Sequence, residues 1–304
     1  MSVRAPGKVL LSGPYVVLDG APATVLAIAR YAEADALVRE VPKAAEVLEA
    51  YAGKAAPRLD LSNLTVGDRK LGLGSSAAGL VAALAADAYE AGQELHDGAF
   101  RRELFERAFA LHRRVQGGGS GFDVAAAVWG GFFRYELTAP GKARVTNLLW
   151  PEGLVIELFA APTSARTSDF VARVKAFREG HASQAMPMFA ALRQAALRAS
   201  VAFGEGKVRE ILESLTAQRE ILAAIGDAAD VPIVLPSVQR LAQLASTEAS
   251  VLLPSGAGGG DVCVRLGIER ATPTFLDAAH AEGFVKLSLA HDTFGVHASP
   301  DSEG

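Results

Sequence analysis

At 304 residues the chain is long enough for one large domain or two lobes around a sizeable core. Half of it is hydrophobic and 21% is charged, the balance of an ordinary globular enzyme rather than a disordered or fibrous protein. A net charge of -4 gives no basic field for nucleic acid or an anionic membrane, so neither is an expected partner. Cys263 is the single cysteine; it excludes internal disulfides and a cysteine-held metal cluster, and it suits a reducing compartment. No stretch reaches the roughly 20 apolar residues of a membrane span. Pro6, Gly7 and Gly13 interrupt the N-terminal segment and no cleavage-type site follows, so the expected location is the cytoplasm.

In chain order, Val9–Ser12 and Tyr15–Leu18 read as short strands parted by Gly13-Pro14, with Asp19-Gly20 as a hairpin turn. Ala23–Ala29 and Ala32–Arg39 read as further strands. Residues 42–58, rich in Ala, Lys and Glu, suggest a short helix or an exposed excursion. Leu59–Leu61 and Leu64–Val66 alternate like an edge strand. Helical spacing then runs from Ala77 to about Ala91 and from Gly98 to about Val115. A strand over 131–135 follows the next glycine cluster, and Pro140-Gly141 and Trp150-Pro151 punctuate a β region. A lobe boundary near residue 150 divides the chain into 1–150 and 151–304. The second half reads as a strand at 154–160, helices over 168–178, 182–204, 206–225 and 236–246, and strands at 250–253 and 262–266. Residues 298–304 are polar and read as a frayed end. The elements alternate without a regular βαβ period, so the fold class is α+β.

Four segments can carry chemistry. Lys70-Leu71-Gly72-Leu73-Gly74-Ser75-Ser76-Ala77 is a glycine-rich turn running into the alanine-rich helix. Glycines let backbone amides turn inward, and a helix start adds free N–H donors and partial positive charge, so the turn can cradle phosphate. The Gly-Lys-Ser/Thr ending of a Walker loop is absent. Ser75 and Ser76 stand where their hydroxyls can bind a phosphate oxygen or Mg2+; the plain alternative is a serine-capped helix start. Around Lys8, Ala5-Pro6-Gly7-Lys8 leads into an apolar strand that can hold the ammonium beside a site, although a lone lysine is more often solvated. Tyr15 can hydrogen-bond a substrate or sit satisfied at the edge of a core. In Gly117-Gly118-Gly119-Ser120-Gly121-Phe122-Asp123, Asp123 can cap the following helix or orient an attacking group while a lysine keeps it ionised. Ser255–Asp261 carries four glycines between two apolar strands, which signals close backbone approach rather than a flexible connection. The histidines His96, His112, His181, His280, His291 and His297 show neither metal-ligand spacing nor an acyl-transfer triad pattern.

Taken in order, the Pro-Gly-Lys strand, Gly-Leu-Gly-Ser-Ser-Ala and the Gly-Ala-Gly-Gly-Gly-Asp loop resemble the three motifs of the GHMP small-molecule kinases, from Ala5 to Leu266. Within that superfamily the loop before the helix at 77, the run Gln116–Ala127 and Ser12–Leu18 look most like phosphomevalonate kinase. The resemblance implies two lobes, the first like ribosomal protein S5 domain 2 and the second ferredoxin-like. It implies ATP with Mg2+, its phosphates on Lys70, Gly72, Leu73, Gly74, Ser75, Ser76 and Ala77 and the metal near Ser75 or Ser76. The reaction it implies is phosphorylation of 5-phosphomevalonate to the diphosphate, in the mevalonate route to isoprenoids. Lys8 would neutralise charge on the transferred group, and Asp123 would orient the acceptor or hold Lys8. Acceptor contacts would come from Tyr15, Ser120, Gly121, Gly258 and Gly259. The segment Ser164, Arg166 and Thr167 resembles the family's Ser-Ala-Ser-Thr substrate stretch, with Arg166 able to grip a phosphate. Mevalonate kinases carry a Mg2+-holding Glu about a dozen residues before the catalytic Asp; here the neighbourhood reads Ala-Leu-His112-Arg-Arg. The competing readings are a kinase of mevalonate or another small molecule, and a nucleotide- or metabolite-binding sensor without turnover. A monomer or homodimer is expected.

Overall fold

The computed structural model describes residues 2–66, 69–139, 141–163 and 167–299. Strands β1 (Ser2–Ser12) and β2 (Ala23–Glu40) form a long antiparallel pair. Helix α1 (Ala45–Ala50) and strand β3 (Ala56–Asp60) follow, and β3 returns to pair with β2. A small ribbon of β4 (Thr65–Val66) and β5 (Arg69–Lys70) leads into α2 (Ser75–Glu90). Helices α3 (Gly98–Gln116) and α4 (Phe122–Trp129) come next. Strands β6 (Phe132–Ala139) and β7 (Lys142–Asn147) then extend the first sheet beyond β2. The apolar α2 lies against β1 and β2 with both its alanine and leucine faces buried, which is why a helix so rich in alanine is stable there.

Strand β8 (Val155–Ala160) opens a second, antiparallel sheet. Helices α5 (Thr167–Gly180), α6 (Ala182–Glu205), α7 (Val208–Ala228) and α8 (Pro236–Thr247) precede β9 (Ser250–Pro254) and β10 (Val262–Gly267). After α9 (Pro273–Ala281), β11 (Val285–Leu287) completes the order β11-β8-β10-β9. The last strand, β12 (His297–Ala298), crosses back to pair with β1. The fold class is α+β, as the lack of a βαβ period predicts. We keep a division near residue 150 as a proposal, with residues 291–298 packed on the first sheet through Asp292, whose carboxylate accepts from the Tyr31 hydroxyl and the Gly295 amide.

Several local expectations need correction. Tyr15–Leu18 is not a strand: Val16–Asp19 is a single 3-10 turn, and Tyr15 sits at φ 62. The cause is Gly13 at φ +90, where a Cβ would meet the Pro22 carbonyl oxygen at 2.4 Å. The chain reverses there instead of continuing the ladder. Residues 23–40 form one strand rather than two, with the pairing register to β1 shifting at Pro6/Gly7. The excursion at 42–58 resolves into α1 and β3, and the structure adds α9 and β11, which the sequence reading did not assign. The α9 start is nonetheless conventional: Thr272 accepts from the Phe275 amide and Pro273 takes the first helical position.

Candidate active site

The glycine turn is anchored by Leu71 and Leu73, which are buried, while Gly72 and Gly74 adopt φ +67 and +82. Gly74, not a serine, caps α2, so Ser75 and Ser76 are its first two residues. Their hydroxyls have no hydrogen-bond partner among the described residues. The first amides of α2, at Ser75, Ser76 and Ala77, lie in the turn that has no intrahelical acceptor. Both glycines are also points of closure. A Cβ on Gly74 would stand 3.3 Å from Lys8 Cγ and 3.4 Å from Asp123 Cβ; one on Gly72 would stand 2.7 Å from Asp261 Oδ2. Three motifs far apart in the sequence therefore meet on a turn that only glycine can make.

Lys8 is held at both ends of its residue. Its amide donates to the Leu73 carbonyl at 2.9 Å and its Nζ to the Gly72 carbonyl at 2.8 Å. The Nζ also lies 5.6 Å from the Phe122 ring centroid. Only 6% of Lys8 is exposed, and burial pushes its pKa below the ordinary lysine value against the pull of Asp123 and Asp261. Asp123 stands in the first turn of α4, where its Oδ1 accepts from the Val124 amide at 3.0 Å. About a fifth of its side chain is exposed; burial would raise its pKa, but His112, Lys8 and the Val124 amide outweigh burial and hold it low. His112, buried on α3, places Nε2 3.3 Å from Asp123 Oδ2.

The loop 255–261 closes the other side. Gly258 fits only as glycine, because a Cβ would meet the Ile233 carbonyl at 2.2 Å, and the Gly259 amide donates to that same oxygen at 2.9 Å. Their amide and Cα surfaces thus serve loop packing first. Tyr15 donates its hydroxyl to the Ala257 carbonyl at 2.6 Å, and burial raises its pKa. Its role in the structure is to tether this loop to the end of β1. Ser255 Oγ accepts from the Leu10 amide at 2.9 Å. Gln218 of α7, 1% exposed, accepts from Ser12 Oγ at 2.9 Å and the Gly13 amide at 3.0 Å, and donates to the Leu11 carbonyl. Buried side-chain amides are retained where every polar atom is matched, and here the match locks the end of β1 to the second half of the chain.

Ser120 and Gly121 sit just before α4: the Ser120 carbonyl accepts from the Tyr135 hydroxyl, and Gly121, at φ +80, packs where a Cβ would strike the Phe109 ring. Both position Asp123. Lys70 is exposed at the entrance of the turn. Ser164 and Arg166 lie outside the described residues, and Thr167 opens α5 with its side chain likewise outside them. Asp261 and His112 complete the site without having been singled out from the sequence. Asp261 ends a recognisable glycine motif and sits at φ 56, whereas nothing in the spacing of His112 marks it. Among the described residues no group of three His, Cys, Asp or Glu could hold a metal ion. No helix among them is long and apolar enough to cross a membrane.

Residues 37–131 match the family model for the GHMP kinases N terminal domain. The phosphomevalonate kinase of Streptomyces sp. is 27% identical over 372 residues, covering 98% of this chain and 95% of that protein. The mevalonate kinase of Archaeoglobus fulgidus is 26% identical over 307 residues, covering 93% of this chain and 98% of that protein. Among solved structures, Streptococcus pneumoniae phosphomevalonate kinase in complex with phosphomevalonate and AMPPNP superposes with a TM-score of 0.75 at 17% identity, covering 96% of this chain and all of that one. The chain has the α+β GHMP kinase fold, and the resemblance drawn from its motifs to GHMP kinases, phosphomevalonate kinase among them, holds.

Proposed function

From a GHMP kinase fold whose glycine turn closes on Lys8 and Asp123, we propose an ATP-dependent kinase that converts 5-phosphomevalonate to 5-diphosphomevalonate. The observation that carries the reading is Gly74. A Cβ there would meet the side-chain stems of Lys8 and Asp123, so a turn shaped for phosphate packs directly against the two residues that carry a buried cation and an ionised carboxylate. Phosphoryl transfer asks chiefly for positioning and charge neutralisation. The β- and γ-phosphates of ATP lie on the amides of 74–77. An oxygen of the acceptor phosphate forms the new bond to the γ-phosphorus as the bridging P–O bond to ADP breaks, its electron pair leaving on ADP. Lys8 faces the charge that spreads over the transferred group. A phosphate monoester has a second pKa of about 6, so its attacking oxygen carries no proton that must be removed at pH 7. Asp123 serves instead to keep Lys8 charged and in place, and Arg166 is our proposed partner for the acceptor phosphate.

The site suits Mg2+ carried in on the nucleotide. The donor set is the hydroxyls of Ser75 and Ser76, unpartnered among the described residues, which hold no group of three His, Cys, Asp or Glu to cage an ion; such sparse protein ligation is expected of Mg2+ bound mainly by phosphates and water. When bound there it would neutralise β- and γ-phosphate charge. The single, buried thiol and the use of ATP lead us to place the enzyme in the cytoplasm, acting on small molecules alone.

Mevalonate is the competing acceptor, because a mevalonate kinase aligns over most of the chain. The residue about a dozen positions before Asp123 is His112 rather than a carboxylate, which favours the phosphorylated acceptor. Release of ADP measured side by side with phosphomevalonate, mevalonate and diphosphomevalonate decides between them. We expect turnover with phosphomevalonate; turnover with mevalonate alone would refute the assignment, and ATP binding with no turnover would favour a sensor.

A further inference from the structure

Behind Asp123 a line of charge continues away from the cleft. Glu46, on α1, is 2% exposed and lies with Oε1 3.6 Å from His112 Nδ1. His112 Nε2 lies 3.3 Å from Asp123 Oδ2, and Asp123 abuts the Gly74 position together with Lys8. The signs alternate along Glu46, His112, Asp123 and Lys8. Glu46 is fixed by Gln116 Nε2, which donates to its Oε1 at 2.5 Å from the turn of α3 after His112. His112 Nδ1 is buried without a hydrogen-bond partner, and 3.6 Å is too long for one, so Glu46 acts on the imidazole through charge. A packing role alone would not need this arrangement. Burying a glutamate and a histidine among α1, α3 and α4 costs desolvation that apolar side chains of the same volume would avoid.

We propose that Glu46 and His112 are positioning residues of the transfer site: together they hold Asp123 as an oriented carboxylate, and through it they keep Lys8 charged against the turn. The charged groups facing His112 are Glu46 from α1 and Asp123 from α4, with Lys8 of β1 beyond Asp123. Burial alone would lower the pKa of His112; Asp123 and then Glu46 reverse that and raise it. A charged imidazolium is drawn to the carboxylates on both sides, by its Nε2 contact to Asp123 and by charge alone toward Glu46, in a way a neutral ring is not.

The kinase reading enters only the second of two experiments. In the first, the imidazole signals of the free protein are followed by NMR from acid to mildly alkaline pH, with His112 assigned by its absence in H112Q. His112 should titrate above the ordinary value of about 6.5 and fall in both E46Q and D123N. A His112 that titrates below that value, or that E46Q leaves unmoved, overturns the proposal. In the second, kcat with phosphomevalonate is measured against pH. H112Q should lose about 10–100-fold in kcat, with a far smaller change in the KM for ATP. Its acid limb should move toward neutrality by about one pH unit, because burial is then free to raise the Asp123 pKa. E46Q, which keeps the imidazole, should move the same limb by less and covers the case in which H112Q fails to fold. A lowered kcat on an unshifted limb would mean a merely structural role and would also overturn the proposal. Should native protein not turn over phosphomevalonate, the kinase reading falls by itself and the imidazole titration alone decides this one.

Discussion

Two clusters of buried charge, one in each half of the molecule, are built to different ends. In the second half, Arg265 is 1% exposed and donates to Glu157 at 2.9 Å, to the Glu269 carbonyl at 2.9 Å and to Glu248 at 2.8 Å. Lys286 closes on the other oxygen of Glu157 at 2.6 Å, and the Ala271 amide donates to Glu157 as well. Each carboxylate there has its cation, and the set staples β8, β10 and the loop before α9. In the first half the line from Glu46 to Lys8 ends open, with Asp123 a fifth exposed and Lys8 against a turn of glycines. The Arg265 cluster gives each of its carboxylates a cation, although Arg265 Nε is buried without a partner among the described residues, whereas the line from Glu46 to Lys8 ends where a ligand would sit. Buried charge by itself therefore marks no active site; the unfinished end of a charged line does.

Substitution can break that contrast. The largest effect on activity is expected from Lys8→Met, which should cut kcat by about a thousand-fold or more while nucleotide affinity by calorimetry falls far less. Retained turnover would move Lys8 to the structural class. Arg265→Met should do the reverse: a loss of about 3–5 kcal/mol by denaturant unfolding, because Glu157 and Glu248 are left short of a partner, with kcat of the folded enzyme little changed. A large loss of kcat at unchanged stability would erase the distinction. Tyr15→Phe, which removes the tether to Ala257, should cost about 1 kcal/mol and raise KM more than it lowers kcat.

Acidity sharpens the same contrast. Burial would raise the Glu157 pKa, but Lys286, the Ala271 amide and Arg265 depress it. Stability from that cluster is thus present above the unfolded glutamate value and is lost as pH falls through the depressed one. His112 has the opposite sign: its contribution is complete below the unfolded histidine value and is lost as pH rises through the raised one. Thermal unfolding against pH should therefore show an acid-side loss that R265M reduces and a near-neutral loss that H112Q removes. An alkaline slope identical in H112Q and native protein would contradict this assignment.

Much of the site was legible because its parts are local. A glycine turn before an apolar helix, and glycines before Asp123, encode their conformation within a few residues, and the order of the motifs carried the resemblance to GHMP kinases. His112 was not legible, since its meaning depends on α1 and α4 packing on either side of one face of α3. Tyr15 misled for a related reason: Tyr15-Val16-Val17-Leu18 has strong strand propensity, yet the reversal at Gly13 and the bond to Ala257, both tertiary, override it. The second-half helices were easier, because each carries its own periodicity, whereas β11, three residues long, carries none.

The most direct test of the central claim is 31P NMR of the protein with Mg-ATP and 5-phosphomevalonate. The account predicts that the acceptor's monoester resonance is replaced by the coupled pair of a diphosphate ester, in step with ADP, and that K8M abolishes the change. A monoester resonance that persists while added mevalonate is phosphorylated, or ATP that stays intact with every acceptor, would contradict it.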